Sequence, residues 1–146
     1  MRDAADQFDD ARLLLDAQPA GSGVLLPLMN SAAVALELYL KSLGAVTIHT
    51  PTPGFPRFSK VTARARTKGH DLVGRLKAIP NDVRQSLERE YEVECPGRVL
   101  QDDLQTYEGL FAASRFPFEK DHDIRHYPLH PLMELCSYLR NFVATM

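Results

Sequence analysis

Residues 30–44, NSAAVALELYLKSLG, decide the fold. A helix drawn through them carries apolar side chains on almost every side: Ala33, Val34, Leu36, Leu38, Tyr39 and Leu40. A helix that is apolar nearly all round is packed by neighbours on several faces. The segment therefore predicts a central helix from about Val24 to Leu43, with Pro27 tolerated in its first turn. The exceptions, Asn30, Glu37 and Lys41, are spaced seven and four apart and share one narrow polar stripe. A charged pair on a mostly buried helix is costly unless its members bind each other or line a pocket. Glu37 and Lys41 are thus either a bridge that fixes helix packing or a dimer seam, or the wall of a ligand site.

Working outward, residues 3–17 place Ala4, Phe8, Ala11 and Leu15 at spacings of four, three and four, which predicts an amphipathic helix with those residues as its buried stripe. AGSG at 20–23 ends it. Beyond the central helix the periodicity changes. TPTPGFPRF is rich in proline, and its flanks AVTIHT and SKVTARART alternate at period two, the pattern of a β-hairpin or extended loop at about 45–69. From Ser42 to His70 there is no acidic residue. Side chains alternate along a strand, so Lys60, Thr62, Arg64, Arg66 and Lys68 would form one basic ridge, with Arg57 nearby.

Helical spacing resumes over HDLVGRLKAI, over NDVRQSLEREYEVE, and over a single helix from about Val99 to Ser114 that buries Leu100, Leu104, Tyr107 and Phe111. The last helix has Pro131 in its first turn and buries Leu132, Leu135, Cys136, Leu139, Phe142 and Val143. The fold class is all-α: one domain over 1–146, an up-down bundle of five to six helices with the hairpin-like insertion.

Composition narrows the functional classes. In 146 residues, 45% are hydrophobic and 25% charged, ordinary for a folded domain and too apolar for a disordered one. A net charge of −2 gives no global attraction to nucleic acid, so any such binding must come from a local patch. The two cysteines, Cys95 and Cys136, form no CxxC motif and fit a reducing compartment, and an acidic N-terminus does not read as a signal peptide. The apolar runs are too short to span a bilayer. These features predict a cytoplasmic protein with no membrane partner. There is no Gly-rich phosphate loop, nucleophile elbow or Cys/His zinc pattern, so no cofactor or metal is expected. His122, His126 and His130 recur every four residues, but Pro128 interrupts the helix that would align them as ligands.

Three segments in order, NSAAVALELYLKSLG (30–44), GHDLVGRL (69–76) and YEGLFAASRFPFE (107–119), resemble the HEPN domain superfamily over roughly residues 5–143. The resemblance rests mainly on ALELYLKSL and GHDL. It implies a small helical bundle that acts as a homodimer, with RNA as the substrate of its metal-independent ribonuclease branch in defence and toxin–antitoxin systems. Non-enzymatic relatives imply an interaction module instead, with a nucleotide or a nucleotidyltransferase-like protein as partner. The ribonuclease branch carries an arginine and then a histidine with four to six residues between them. Arg115 and His122 meet that spacing at its upper limit, although Phe116 and Pro117 depart from the usual motif.

As chemistry, Arg115 would grip phosphate oxygens while His122 moves protons. As structure, Arg115 would pair with Glu119 or cap a helix end, and His122 would be a solvated residue between Asp121 and Asp123. His70 and Asp71 open a helix, where a capping role competes with a ligand or interface role. Arg57, Lys60, Arg64, Arg66 and Lys68 would track a nucleic-acid backbone, protect a sheet edge, or dock on the acidic helix 81–94.

Overall fold

The apolar segment around Leu36 forms α2, Leu25–Leu43, in the computed structural model of the chain. The structure describes residues 1–65, 69–119 and 123–146, with side chains for all of these except 55–58 and 65. The described residues are mostly helical. Among the described residues there are six helices of seven residues or more: α1 (Arg2–Asp16), α2, α3 (Leu72–Ala78), α4 (Asn81–Glu94), α5 (Leu100–Thr106) and α7 (Leu129–Thr145). A six-residue helix, α6 (Leu110–Arg115), and a 3-10 turn at Ile124–His126 complete the set.

Helix α2 is the hub, packed by α1, α3, α6 and α7. Leu36, Tyr39 and Leu40 are fully buried there, together with Leu132, Leu135, Cys136 and Leu139 of α7. Each such leucine stabilises the fold by about 2 kcal/mol relative to exposure. No helix is long and apolar enough to cross a membrane among the described residues.

The insertion is a two-stranded antiparallel hairpin, β1 (Ala45–Thr52) and β2 (Phe55–Ala65). Its register runs from Ala45 opposite Ala65 to Pro51 opposite Ser59, with an irregularity at Pro51–Thr52. Gly54 closes the turn at φ +81°, a conformation that side chains disfavour. Residues 59–64 are exposed on both faces of the hairpin, so the ladder and not a core holds it.

Two expectations are corrected. The buried line of α1 is Ala5, Asp9 and Arg12, about a quarter-turn from Ala4, Phe8, Ala11 and Leu15, and Phe8 is 41% exposed. Ion pairing sets this phase. Arg12 Nε donates to Asp9 Oδ1 at 2.5 Å, and Arg140 Nη1 of α7 donates to Asp9 Oδ2 at 2.9 Å. Tyr39 adds a hydrogen bond from its hydroxyl to Asp6 at 2.9 Å.

The helix expected over 99–114 is broken at 107–109 into α5 and α6. Tyr107 turns inward to donate its hydroxyl proton to the Pro128 carbonyl at 2.8 Å. Gly109 lies so close to the Tyr127 hydroxyl that a β-carbon there would stand 2.6 Å from it. The segment leading into α7 thus occupies the space a continuous helix would need.

Candidate functional site

Helices α2, α3 and α6 meet at a polar corner. Glu37 lies on α2 one turn before Lys41, and its side chain is only 7% exposed. Three basic side chains converge on its carboxylate. Lys41 Nζ donates to Oε1, Arg75 Nη2 of α3 donates to the same oxygen at 3.2 Å, and His70 Nδ1 lies 2.6 Å from Oε2. Arg75 is almost wholly buried and also donates to the Gly69 carbonyl. Gly69 adopts φ +82°, which reverses the chain and presents that carbonyl.

Asp71 is the N-cap of α3 and accepts from the Gly74 backbone N–H at 2.5 Å. A β-carbon at 74 would collide with that carboxylate, so glycine is the residue that lets the cap close. The cap fixes where α3 begins, and with it the positions of His70 and Arg75 on either side.

From α6, Phe111 stacks on the His70 ring with centroids 4.0 Å apart and planes 15° from parallel. The Arg115 guanidinium lies 5.7 Å from the Phe111 centroid and 5.9 Å from that of Phe116. Phe111 therefore ties His70 and Arg115 into one cluster. Beyond it the chain exposes Phe116 and, at 99%, Phe118.

Burial alone would push the Glu37 carboxyl up, but hydrogen bonds from His70 and Lys41 and the charges of Lys41 and Arg75 hold it below its ordinary value. It is therefore an anion near neutral pH. At the Glu37 carboxylate two permanent cations, Lys41 and Arg75, meet one negative charge, and the neighbouring Asp71 carboxylate supplies a second. Lys41 and His70 reach the surface, with side chains 24% and 53% exposed. At the margin, the Gly74 N–H and then Glu108 hold the Asp71 carboxyl below its ordinary value, while the bond to Asp71 raises that of Glu108.

Of the residues singled out in the sequence, Glu37, Lys41 and His70 come together in one ion-paired cluster, and Asp71 caps the helix beside them. Arg115 sits over two aromatic rings. Lys60 and Arg64 are exposed and share one side of β2 by alternation. Arg57 lies on β2, but its side chain is outside the described residues, as are Arg66, Lys68 and His122 entirely. His126 and His130 are exposed and face Asp123 and Glu134 at 3.6 and 3.3 Å. Sequence reasoning missed Arg75 and the role of Phe111. A signal existed for Arg75: it occupies a core-facing position among Leu72, Leu76 and Ile79, and a buried charge there demands an opposite one such as Glu37. Two surface grooves of about 480 and 530 Å³ lie elsewhere, and none of these corner residues lines either.

Fold and site together define a small helical domain with a hairpin arm and a cationic corner organised around one buried carboxylate. Comparisons with protein-family models, with curated proteins and with solved structures find no match.

Proposed function

We propose that the chain is a HEPN-like up-down bundle that binds RNA at the corner of α2, α3 and α6. Lys41, His70 and Arg115 take phosphates there, and Lys60 and Arg64 of the hairpin follow the backbone further along. The observation that supports this reading is the gathering of Lys41, Arg75 and His70 on one carboxylate at a corner whose next helix exposes Arg115. Arg115 beside the exposed Phe116 and Phe118 adds cations interleaved with aromatics, the composition of single-strand binding surfaces.

Fluorescence anisotropy of a labelled single-stranded RNA, in EDTA and across a salt series, tests it. Lys41, Lys60, Arg64 and Arg115 contacting four phosphates give a log–log salt slope of roughly −2.8, at about 0.7 per phosphate. Arg115→Ala is expected to flatten the slope by about 0.7, and Lys60→Ala with Arg64→Ala by about 1.4. Absent binding, or a slope indifferent to all three substitutions, would sink the proposal.

A second reading is a non-enzymatic HEPN-like module that forms a homodimer or holds a protein or nucleotide, for example a nucleotidyltransferase-like protein. The exposed apolar residues of α1 favour it, since Phe8, Leu13 and Leu14 are 41%, 46% and 69% exposed at separate points round the helix. Because Glu37 is consumed inside the protein, such a module would use Lys41 and not the carboxylate. A monomer in sedimentation analysis that co-purifies with no partner would count against this alternative.

A further inference from the structure

We propose that the hairpin arm of one copy of this chain lies in the groove between α4 and α5 of a second copy, a basic strand face on an acidic helix pair. The proposal rests on the homodimer of the second reading above and assigns its contact to surfaces away from α1. Lys60 and Arg64 are then contacts between copies, not the RNA track of the first reading.

Three observations carry it. First, the arm presents an unpartnered face. Residues 59–64 are exposed, and the two strands pack chiefly on each other while the helices pack among themselves. Residues directly opposite in an antiparallel pair share a face. The register sets Arg64 against Val46, Thr62 against Ile48 and Lys60 against Thr50. One side of the hairpin therefore carries two cations together with Val46 and Ile48, and Ile48 is 37% exposed. That mixture suits a surface which is both acidic and partly apolar.

Second, the molecule has such a surface. A groove of about 480 Å³ is lined by Glu88, Arg89 and Glu92 of α4, by Arg98 and Val99 of the link, and by Asp102 of α5. Arg98 lends it little charge, because its guanidinium is bound to Asp103 at 2.9 Å and to Glu134 at 2.7 Å. Three carboxylates of the lining are then set against Arg89, and Val99, 58% exposed, supplies the apolar component.

Third, the two signs of charge are segregated by element. No acidic residue occurs from Ser42 to His70, whereas α4 carries Asp82, Glu88, Glu90, Glu92 and Glu94 against Arg84 and Arg89. Lys60, Arg64, Glu92 and Asp102 are all exposed, so the arm does not fill the groove of its own chain. Opposite potentials on two separate surfaces steer encounter and fix the register of the complex. A second copy is the occupant because this chain itself supplies the matching arm. Arm and groove are different patches, so the contact is head-to-tail, and two copies that exchange arms close the assembly with two equal contacts.

Sedimentation velocity of the purified full chain tests it. Wild type is expected to be a dimer that dissociates as sodium chloride is raised from about 0.05 M to about 0.5 M, where charges are screened over a few ångströms. Lys60→Glu with Arg64→Glu, and separately Glu88→Lys with Glu92→Lys, should each weaken self-association by about tenfold or more, since like charges then face one another. Mixing the two variants should restore the dimer. In the mixture a basic arm meets an acidic groove and an acidic arm meets a basic groove, and restoration also shows that both variants are folded. A chain carrying all four reversals should pair with itself for the same reason. A dimer indifferent to both pairs of reversals, or variants that dissociate and are not restored by mixing, would overturn the inference and leave the homodimer resting on another surface. A monomeric wild type removes the homodimer and this inference together.

Discussion

Replacing Glu37 by glutamine is the most informative single perturbation of the fold. The substitution keeps the shape and one acceptor oxygen but deletes the charge that faces buried Arg75. Both side chains are shielded from water, at 7% and 1% exposure, so surface screening does not dilute the effect. At 3.2 Å, and with an effective dielectric of about 20, the Glu37–Arg75 attraction is roughly 5 kcal/mol before desolvation is counted. Breaking one side of a buried pair typically destabilises by about 3–5 kcal/mol. For a chain of this length that is a fall in Tm of roughly 10–15 °C, at about 3 °C per kcal/mol.

The companion variants fix the cause. Arg75→Met alone should also destabilise, because it strands the carboxylate. Glu37→Leu combined with Arg75→Met should recover most of the loss, because an apolar pair of similar volume is close to neutral in such sites. Chemical denaturation of the four proteins closes a double-mutant cycle with a coupling of about 1–3 kcal/mol. If Glu37→Gln melts within 2 °C of wild type, or the two losses simply add in the double variant, the corner is not held by this charge pair.

The remaining predictions are shorter. Replacing residues 47–63 by a short Gly-Ser link should leave the Tm of the helical body within about 2 °C, since Thr47 and Ala63 are already paired and two-stranded hairpins are marginal on their own. The same deletion should weaken RNA binding measured by anisotropy. Under native conditions a thiol-alkylating reagent should add to Cys95, which is half-buried, and spare Cys136, whose thiol burial pushes far up; intact mass should read one adduct, and two would refute the buried placement. The Glu37 carboxyl is held below the ordinary carboxylate value, so its stabilising contribution is present above that ordinary value and lost as pH falls through the lower folded-state value. Thermal melts from pH 7 to pH 3 should therefore show a loss in wild type that is smaller in Glu37→Gln.

Much of this arrangement could be read in the chain, and the parts that could not share one physical reason. The central helix announced itself because Ala33, Leu36, Tyr39 and Leu40 leave no polar face. Its exceptions, Glu37 and Lys41, were visible as charges where none should lie. The last helix was equally plain, since Leu132, Leu135, Leu139 and Phe142 keep helical spacing. The phase of α1 was not. Periodicity counts apolar residues as inward, yet Asp9 and Arg12 go inward as a pair while Phe8 stays out. The break at 107–109 was hidden too, because the hydroxyl of Tyr107 seeks a carbonyl 21 residues away. The Glu37–His70 contact spans 33 residues and the whole hairpin. Local pattern reports which side of an element is apolar. It does not report which distant partner makes a buried charge tolerable.

The protein contains its own control for deciding which buried charge is structural. Asp9, Asp10, Arg12 and Arg140 form a network of two carboxylates and two guanidiniums, and Arg12 adds contacts to Met133 Sδ at 3.2 Å and Ser137 Oγ at 3.4 Å. That network is balanced in charge and joins α1 to α7, so it needs nothing from outside to be stable. The Glu37 cluster is built from the same kinds of group but reaches solvent. It sets two permanent cations and a histidine against one carboxylate, and the histidine and Lys41 reach solvent. A cluster serving only to fasten α2 to α3 would be satisfied by Glu37 and Arg75 alone. Lys41 and His70 bring basic groups from that carboxylate to solvent, which is why the corner, and not the larger network at α1, carries the functional proposal.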